Sequence, residues 1–326
     1  MVDRGLLYKE WKQHFWIFLV VFAAVMLSEP FSILNDYFQY QGCLAEQKKF
    51  PDIECVLYKD YEISGVMRMF WIGGVALALS QIGFERSRGT LDFTLGLPYR
   101  RGIIFNTKYF LGITILLTAQ LLSYLLSYAL VVLYKVDVVN FHEYFIGSVI
   151  FCFMVYSLVM AAGAMTGNPL AQMIVAFSTS ILPYLLIGLP MANLQIIMSF
   201  FGVNSALFSQ DSYFLNYITP IVYLDGFGVH NGGLAFTLLI PLVMGILFYI
   251  IGYFCFIKQQ LERNGHFFLW RKMDRPIQIL VILFGIWGFG AATSSSLFSY
   301  IFGMLIGSAV GFLISYFLIF KKIKQL

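Results

Sequence analysis

Eight apolar runs, each near the length that a bilayer demands, leave this 326-residue chain few folds to adopt. A spanning helix needs about 20 mainly apolar residues. The runs lie at 15–34, 64–84, 109–134, 144–166, 170–189, 234–257, 277–292 and 297–320, the seventh being short. Lipid offers backbone amides no partners, so such runs must satisfy their hydrogen bonds internally and become α-helices. With 60% hydrophobic and 12% charged residues, the chain has too little charge to clothe a soluble single-core domain. The expected fold class is an all-α integral membrane protein with eight transmembrane helices. The first run is long enough to span and lacks a clear small-x-small cleavage site, so it reads as a retained helix rather than a signal peptide.

Lys and Arg are held on the cytoplasmic side during insertion. With the amino terminus inside, all 21 basic residues except Lys48, Lys49, Lys59, Arg68 and Lys135 fall in inner segments. An even number of spans returns the carboxyl terminus to the same side, so both termini are expected in the cytoplasm. The formal net charge is only +4 and the cations sit in short clusters, which gives nucleic acid no extended basic face. Ahead of the first span, Leu7, Trp11 and Phe15 form a stripe at every fourth residue. Residues 1–14 therefore read as an amphipathic helix in the inner interface or as an extension of the span.

The charged interruption at 85–101 has its own local logic. Thr90 can cap a helix over 91–95 that carries Asp92 in its first turn, and Gly96 with Pro98 ends it. A helix this short is marginal alone. It needs a partner surface, with Leu91, Phe93, Leu95 and Leu97 as anchors, or else it is an ordinary loop between spans. Asn168 and Pro169 cap and start the fifth span, which leaves a very short inner turn before it. The outer segment 190–233 contains no Lys or Arg and reads as short interfacial helices or a re-entrant piece. The inner segment 258–275 alternates basic residues with Phe267, Phe268, Leu269 and Trp270, as an interfacial stretch does.

The run Glu85-x3-Gly89-Thr90-Leu91-x-Phe93-x3-Leu97-Pro98-x2-Arg101-x6-Lys108 resembles the loop between the second and third helices of ABC-2 type transporter permeases. That loop typically reads E-x3-G-T-L, then L-P-x-x-R, then a Lys entering the next helix. Thr219-Pro220-Ile221-Val222-Tyr223-Leu224-Asp225 is similar to a stretch in the family's outer loop. Composition and ending are similar to the Ytr-type permeases of Bacillus-type bacteria. The resemblance implies an ABC-2 (type V exporter-like) core of six helices over 15–257, with a coupling loop at 85–108 and the outer loop at 190–233. Residues 258–326 add a cytoplasmic linker and an extra helix pair outside the common pattern. The resemblance also implies a multi-pass subunit of the bacterial cell membrane. Its ABC ATPase, a separate chain, would dock on Glu85, Gly89, Thr90, Leu91, Phe93, Leu95, Leu97, Pro98 and Arg101 together with Asn168 and Pro169.

No G-x4-G-K-[ST] sequence occurs, so no common phosphate-binding loop is present, and no cofactor is expected on this chain. ATP and Mg would sit on the ATPase, and a second permease chain, alike or different, would complete the pathway. The Ytr-type likeness implies acetoin as cargo, while an apolar, aromatic lining favours amphipathic or envelope-active compounds. Two other classes are a secondary transporter, which would show inverted repeats with broken, charged midplane helices, and a membrane enzyme, which would need acids or His clustered in its spans. The scattered His14, His142, His230 and His266 suggest no metal site.

Four further constellations carry expectations. Glu29 and Arg68 lie at similar outer depth by helical rise and form an ion pair or snorkel separately. Cys43 and Cys55 share an outer loop where a disulfide is permitted, the alternative being two free thiols. Gly303, Gly307 and Gly311 recur every fourth residue and let another helix approach, in this chain or a neighbouring subunit. Pro183 and Pro241 kink their helices, and Ser294-Ser295-Ser296 is a turn.

Overall fold

A computed structural model describes residues 4–50, 54–61, 70–202, 212–224 and 233–319. The helices are α1 (Arg4–Gln47), α2 (Phe70–Ala78), α3 (Glu85–Ser87), α4 (Thr90–Leu95), α5 (Arg101–Tyr134), α6 (Phe141–Met165), α7 (Pro169–Pro183), α8 (Leu189–Phe200), α9 (Ser212–Ile218), α10 (Gly233–Ile257), α11 (Arg271–Ala292) and α12 (Leu297–Ile319). Among the described residues, seven helical stretches are long and apolar enough to cross a membrane. The expected second span is described only from Phe70 onward, as α2 followed by π-helical Leu79–Phe84. The expected fifth span does not stop at 189. It continues through π-helical Tyr184–Gly188 into α8 and ends at Phe200. Gly188 and Pro190 read as breakers, but a membrane helix tolerates them because neighbouring groups satisfy the freed amides.

The chain divides into two compact units. The first comprises Met1–Gln81, Tyr99–Leu158 and Tyr223–Ile250. Here α1 packs along α5 and α2. The buried face of α1 runs Leu6, Glu10, His14, Phe18, Val21, Val25, Glu29 and Ile33, a helical spacing, while Trp16, Val20, Leu27 and Phe31 are exposed. The predicted stripe of Leu7, Trp11 and Phe15 belongs to the exposed side, and the polar Glu10 and His14 point inward. Lipid inverts the soluble arrangement, since apolar side chains lose nothing by facing acyl chains whereas polar ones need protein partners. At 44 residues α1 is one unbroken helix. Its length of roughly 66 Å exceeds a hydrocarbon core of about 30 Å, so its ends project beyond lipid.

The far end of α1 carries a small structure that the sequence did not announce. Two strands, β1 (Tyr58–Asp60) and β2 (Asp137–Val139), pair in parallel with Lys59 opposite Val138. Cys43 and Cys55 are joined by a disulfide with their Cα atoms 5.9 Å apart. Lys59 Nζ donates to Asp36 Oδ2 and Ser32 Oγ, both at 2.6 Å, and lies 5.3 Å from the Tyr61 ring centroid. These ties fold the loop back so that Tyr61, fully buried, packs on Phe141 and Tyr144. Burial there pushes the Tyr61 hydroxyl far above its ordinary range.

The second unit comprises Ile82–Pro98, Val159–Val222 and Ile251–Leu326. In it α11 and α12 form an antiparallel hairpin about the turn at 293–296. Gly303 faces Phe289 and Thr293, Gly307 faces Gly285, and Gly311 faces Val281 and Ile282, so the predicted glycine seam packs within the chain. Contact between helices in lipid depends on such close approach. Asn193 of α8 donates its Nδ2 to Trp287 O at 3.1 Å, and its Oδ1 accepts from the Tyr300 hydroxyl at 2.9 Å.

Two measurements check these arrangements. A Cβ at Gly307 would run into the Gly285 carbonyl, whereas one at Gly288 meets open space. Gly307→Leu should therefore cost about 1–3 kcal/mol and lower the thermal midpoint in detergent, while Gly288→Leu should stay within about 0.5 kcal/mol. Equal midpoints would contradict the seam. Thiol alkylation followed by mass spectrometry should label Cys43 and Cys55 only after reduction, which opens a loop whose closure is worth about 3 kcal/mol. Equal labelling with and without reductant would rule the bridge out.

Candidate functional site

In the second unit, α6 ends at Met165, and its last carbonyls have no partners within the helix. Two separate stretches supply them. Arg86 Nη1 donates to Gly163 O at 2.8 Å and also to Thr166 O. The amide of Leu269 donates to Met165 O at 3.0 Å, and that of Gly265 to Gly167 O at 3.0 Å. Thr166 and Phe268 form an antiparallel bridge, and Gly167 N donates to Phe267 O. Any Cβ at Gly167 would strike the carbonyls of His266 and Arg263, so only glycine lets the two segments close up. A cation at a helix carboxyl end also suits the helix dipole.

Arg86 is the centre of this knot. Its Nη2 donates to Gln259 Oε1 at 2.6 Å, and the residue is buried. Burial pulls its guanidinium down to about 10, with the charge of Asp92 opposing that shift, so it stays charged at neutral pH. Arg86 thereby binds the loop 82–98 both to the end of α6 and to the segment after α10. Asn264 Nδ2 adds a 2.6 Å bond to Asp92 Oδ1, and Arg263 pairs with Asp274 at 2.8 Å. Phe267 and Phe268 are buried in a cluster with Ala171 and Ile319. The stretch expected in the interface is thus partly protein interior, because its backbone is consumed by the end of α6.

The predicted docking residues divide accordingly. The chain reverses at Gly89, whose φ of +72° is a left-handed position that favours glycine. Gly89, not Thr90, occupies the cap position, and the Thr90 hydroxyl donates back to Glu85 O at 3.1 Å. Within α4, Leu91 and Thr94 are buried while Phe93 is 70% exposed. Leu95 and Leu97 are half-buried, and Pro98 is exposed. Glu85 is buried. Asn168 caps α7 by accepting from Ala171 N at 2.7 Å, with Pro169 at the first helical position. Arg101 opens α5 in the first unit. The geometry gathers 85–98, 163–169 and 259–270 into one surface held by Arg86, which the sequence marks only as an inner charge.

Buried polar groups also meet among the described residues of the first unit. Lys108, the lysine of the quoted motif, is fully buried with its Nζ 2.6 Å from Glu10 Oε2, and Glu10 Oε1 also takes Lys9 at 3.0 Å. Gln81 Nε2 donates to Lys108 O at 3.0 Å, and its Oε1 accepts from the Tyr156 hydroxyl at 2.7 Å. Glu29 is buried and accepts from the Tyr144 hydroxyl at 2.8 Å. Arg68, its expected partner, lies outside the described residues.

Two curated proteins of Bacillus subtilis (strain 168) align with essentially the whole chain. Probable ABC transporter permease YtrD is 46% identical over 330 residues, covering 100% of both chains. Probable ABC transporter permease YtrC is 47% identical over 335 residues, covering 99% of this chain and 100% of that protein. No family model matches, and no solved structure matches at a significant level. Near-complete alignment at this identity, together with seven apolar helices long enough to span, makes this a multi-pass cell-membrane protein and a transport subunit rather than an enzyme. The chain belongs to the family of ABC transporter permeases.

Proposed function

We propose that this permease carries cargo across the membrane under the drive of a separate ABC ATPase, which docks on Phe93, Leu95, Leu97 and the turn at 168–169. One observation carries the reading: α4 has only six residues, too few to be stable alone, yet the loop that carries it is tied down by Arg86, its Asp92 accepts from Asn264, and it presents Phe93 outward. A large aromatic side chain exposed beside Asp92 on a polar loop suits a protein partner. In this reading ATP and Mg belong to the ATPase. The chain has eight spans, both termini are cytoplasmic, and a second permease chain completes the path. An ABC-2 type core is extended by the α11–α12 pair. The cargo is a small neutral or amphipathic molecule, of which acetoin is one, since the spans offer mainly apolar and aromatic surface.

The proposed mechanism is mechanical. A closing ATPase pushes on α4, and Arg86 passes the load to Gly163 and Thr166 at the end of α6 and to Gln259 beyond α10. Because the cap of α7, Asn168, follows Thr166 by two residues, the same displacement tilts α7. Leu91, on the inner face, serves as packing rather than as a contact.

Copurification of the full chain from its native membrane tests the proposal. The wild type should bring down an ABC ATPase, and Phe93→Asp should abolish that association and transport without changing the thermal midpoint, because Phe93 makes little internal contact. A Phe93→Asp chain that still retains its ATPase and transports normally would overturn it. Arg86→Met should instead destabilise the chain by about 1–3 kcal/mol by orphaning buried carbonyls, and Arg86→Lys should recover only part because an ammonium lacks the planar fork. An unaltered midpoint in Arg86→Met would remove Arg86 from the centre of the site.

A further inference from the structure

We infer that the second unit carries a binding site for the phosphate headgroup of an anionic phospholipid, at the cavity that precedes the α11 span. This open cavity of about 720 Å³ is lined by Gln260, Trp270, Arg271, Lys272, Met273 and Arg275. Three cations within five residues share it. Arg271 and Arg275 stand four apart on one helix face, and Lys272 follows Arg271. The acid in the same turn, Asp274, does not neutralise them, because it is buried and committed to Arg263 at 2.8 Å. Among the described residues no carboxylate pairs with Arg271, Lys272 or Arg275. Like charges held this close repel one another, and an anion in the cavity relieves that repulsion.

The position along α11 selects the kind of anion. Uncharged, mainly apolar sequence begins at Ile277, six residues after Arg271, an axial distance of about 9 Å. The headgroup layer on each side of a bilayer is roughly 5–8 Å deep, so the cations lie where lipid phosphates lie. Trp270 is the kind of residue that marks this depth, its ring apolar and its indole N–H polar. Together with Met273 it gives the cavity an apolar wall against which glycerol and the first methylenes of a lipid can rest. A free inorganic anion would have no use for that wall. The inference needs only the membrane setting of the chain and stands whether or not an ATPase docks on α4.

The test uses the full chain in nanodiscs of equal phosphatidylglycerol and phosphatidylcholine, with retained lipids counted by native mass spectrometry. The wild type should keep phosphatidylglycerol in preference, and Arg275→Gln should reduce that preference roughly fivefold, the gain expected from one cation near an anionic surface. The triple variant R271Q/K272Q/R275Q should erase it. The charge-matched K48Q/K49Q/K135Q, altered at exposed positions elsewhere, should keep it. The assignment fails if the wild type shows no preference, or if the triple variant keeps it. It fails equally if the matched control loses as much. Should the triple variant not fold, the wild-type preference and the Arg275→Gln response still decide the matter. Millimolar inorganic phosphate should displace little lipid, and full displacement would make this a site for free anions instead.

Discussion

A guanidinium in an apolar interior has to be surrounded by acceptors, and a helix end in the same interior has carbonyls that need donors. Arg86 and the end of α6 meet both needs at once. Neither half is stable without the other: an unpaired buried cation is costly, and so is an orphaned carbonyl. The loop 82–98, the turn at 163–169 and the segment 259–270 are each too short to hold a shape by their own packing. Their mutual satisfaction gives them one.

Such polar ties weigh more in this chain than in a soluble protein. Lipid tails are as apolar as leucine, so burying one apolar helix face against another gains little from the hydrophobic effect. What remains is close approach and hydrogen bonding. The Gly285–Gly307 crossing supplies the first within the α11–α12 hairpin. The inward polar residues supply the second. Glu10 with Lys108, Gln81 with Tyr156, and Glu29 with Tyr144 set partners along the first unit that apolar contact would leave free to slide.

The spans were legible in the sequence because lipid imposes length and composition on every one of them. The places where the reading departed from the structure have physical causes. Leu91, Phe93, Leu95 and Leu97 cannot all serve as anchors, since residues two apart on a helix point about 200° from each other. One of the first pair therefore had to face inward, and it is Leu91. Arg86 escaped notice because its acceptors are mostly backbone carbonyls, which leave no mark in the sequence beyond the nearby Gly163 and Gly167. Charge counting could not show the hydroxyl of Tyr144, which donates to Glu29. The strands β1 and β2 are three residues each and join segments nearly 80 positions apart, with neither length nor alternation to betray them. The disulfide was legible only as a permitted pairing, since spacing alone does not bring two thiols together.

A short helix gripped through hydrogen bonds has a mechanical property that one gripped through apolar packing lacks. Side chains such as leucine rearrange among rotamers of similar energy, so a push on them is partly absorbed. The three donations from Arg86 are directional and weaken steeply with misalignment, so displacement of the loop at Arg86, which α4 follows after the turn at Gly89, has to carry Gly163, Thr166 and Gln259 with it or break the bonds. The same bonds close the end of α6, and the Asn168 cap two residues later begins α7. The exposed Phe93 thus stands on a loop that Arg86 ties to the end of α6, two residues before the cap of α7.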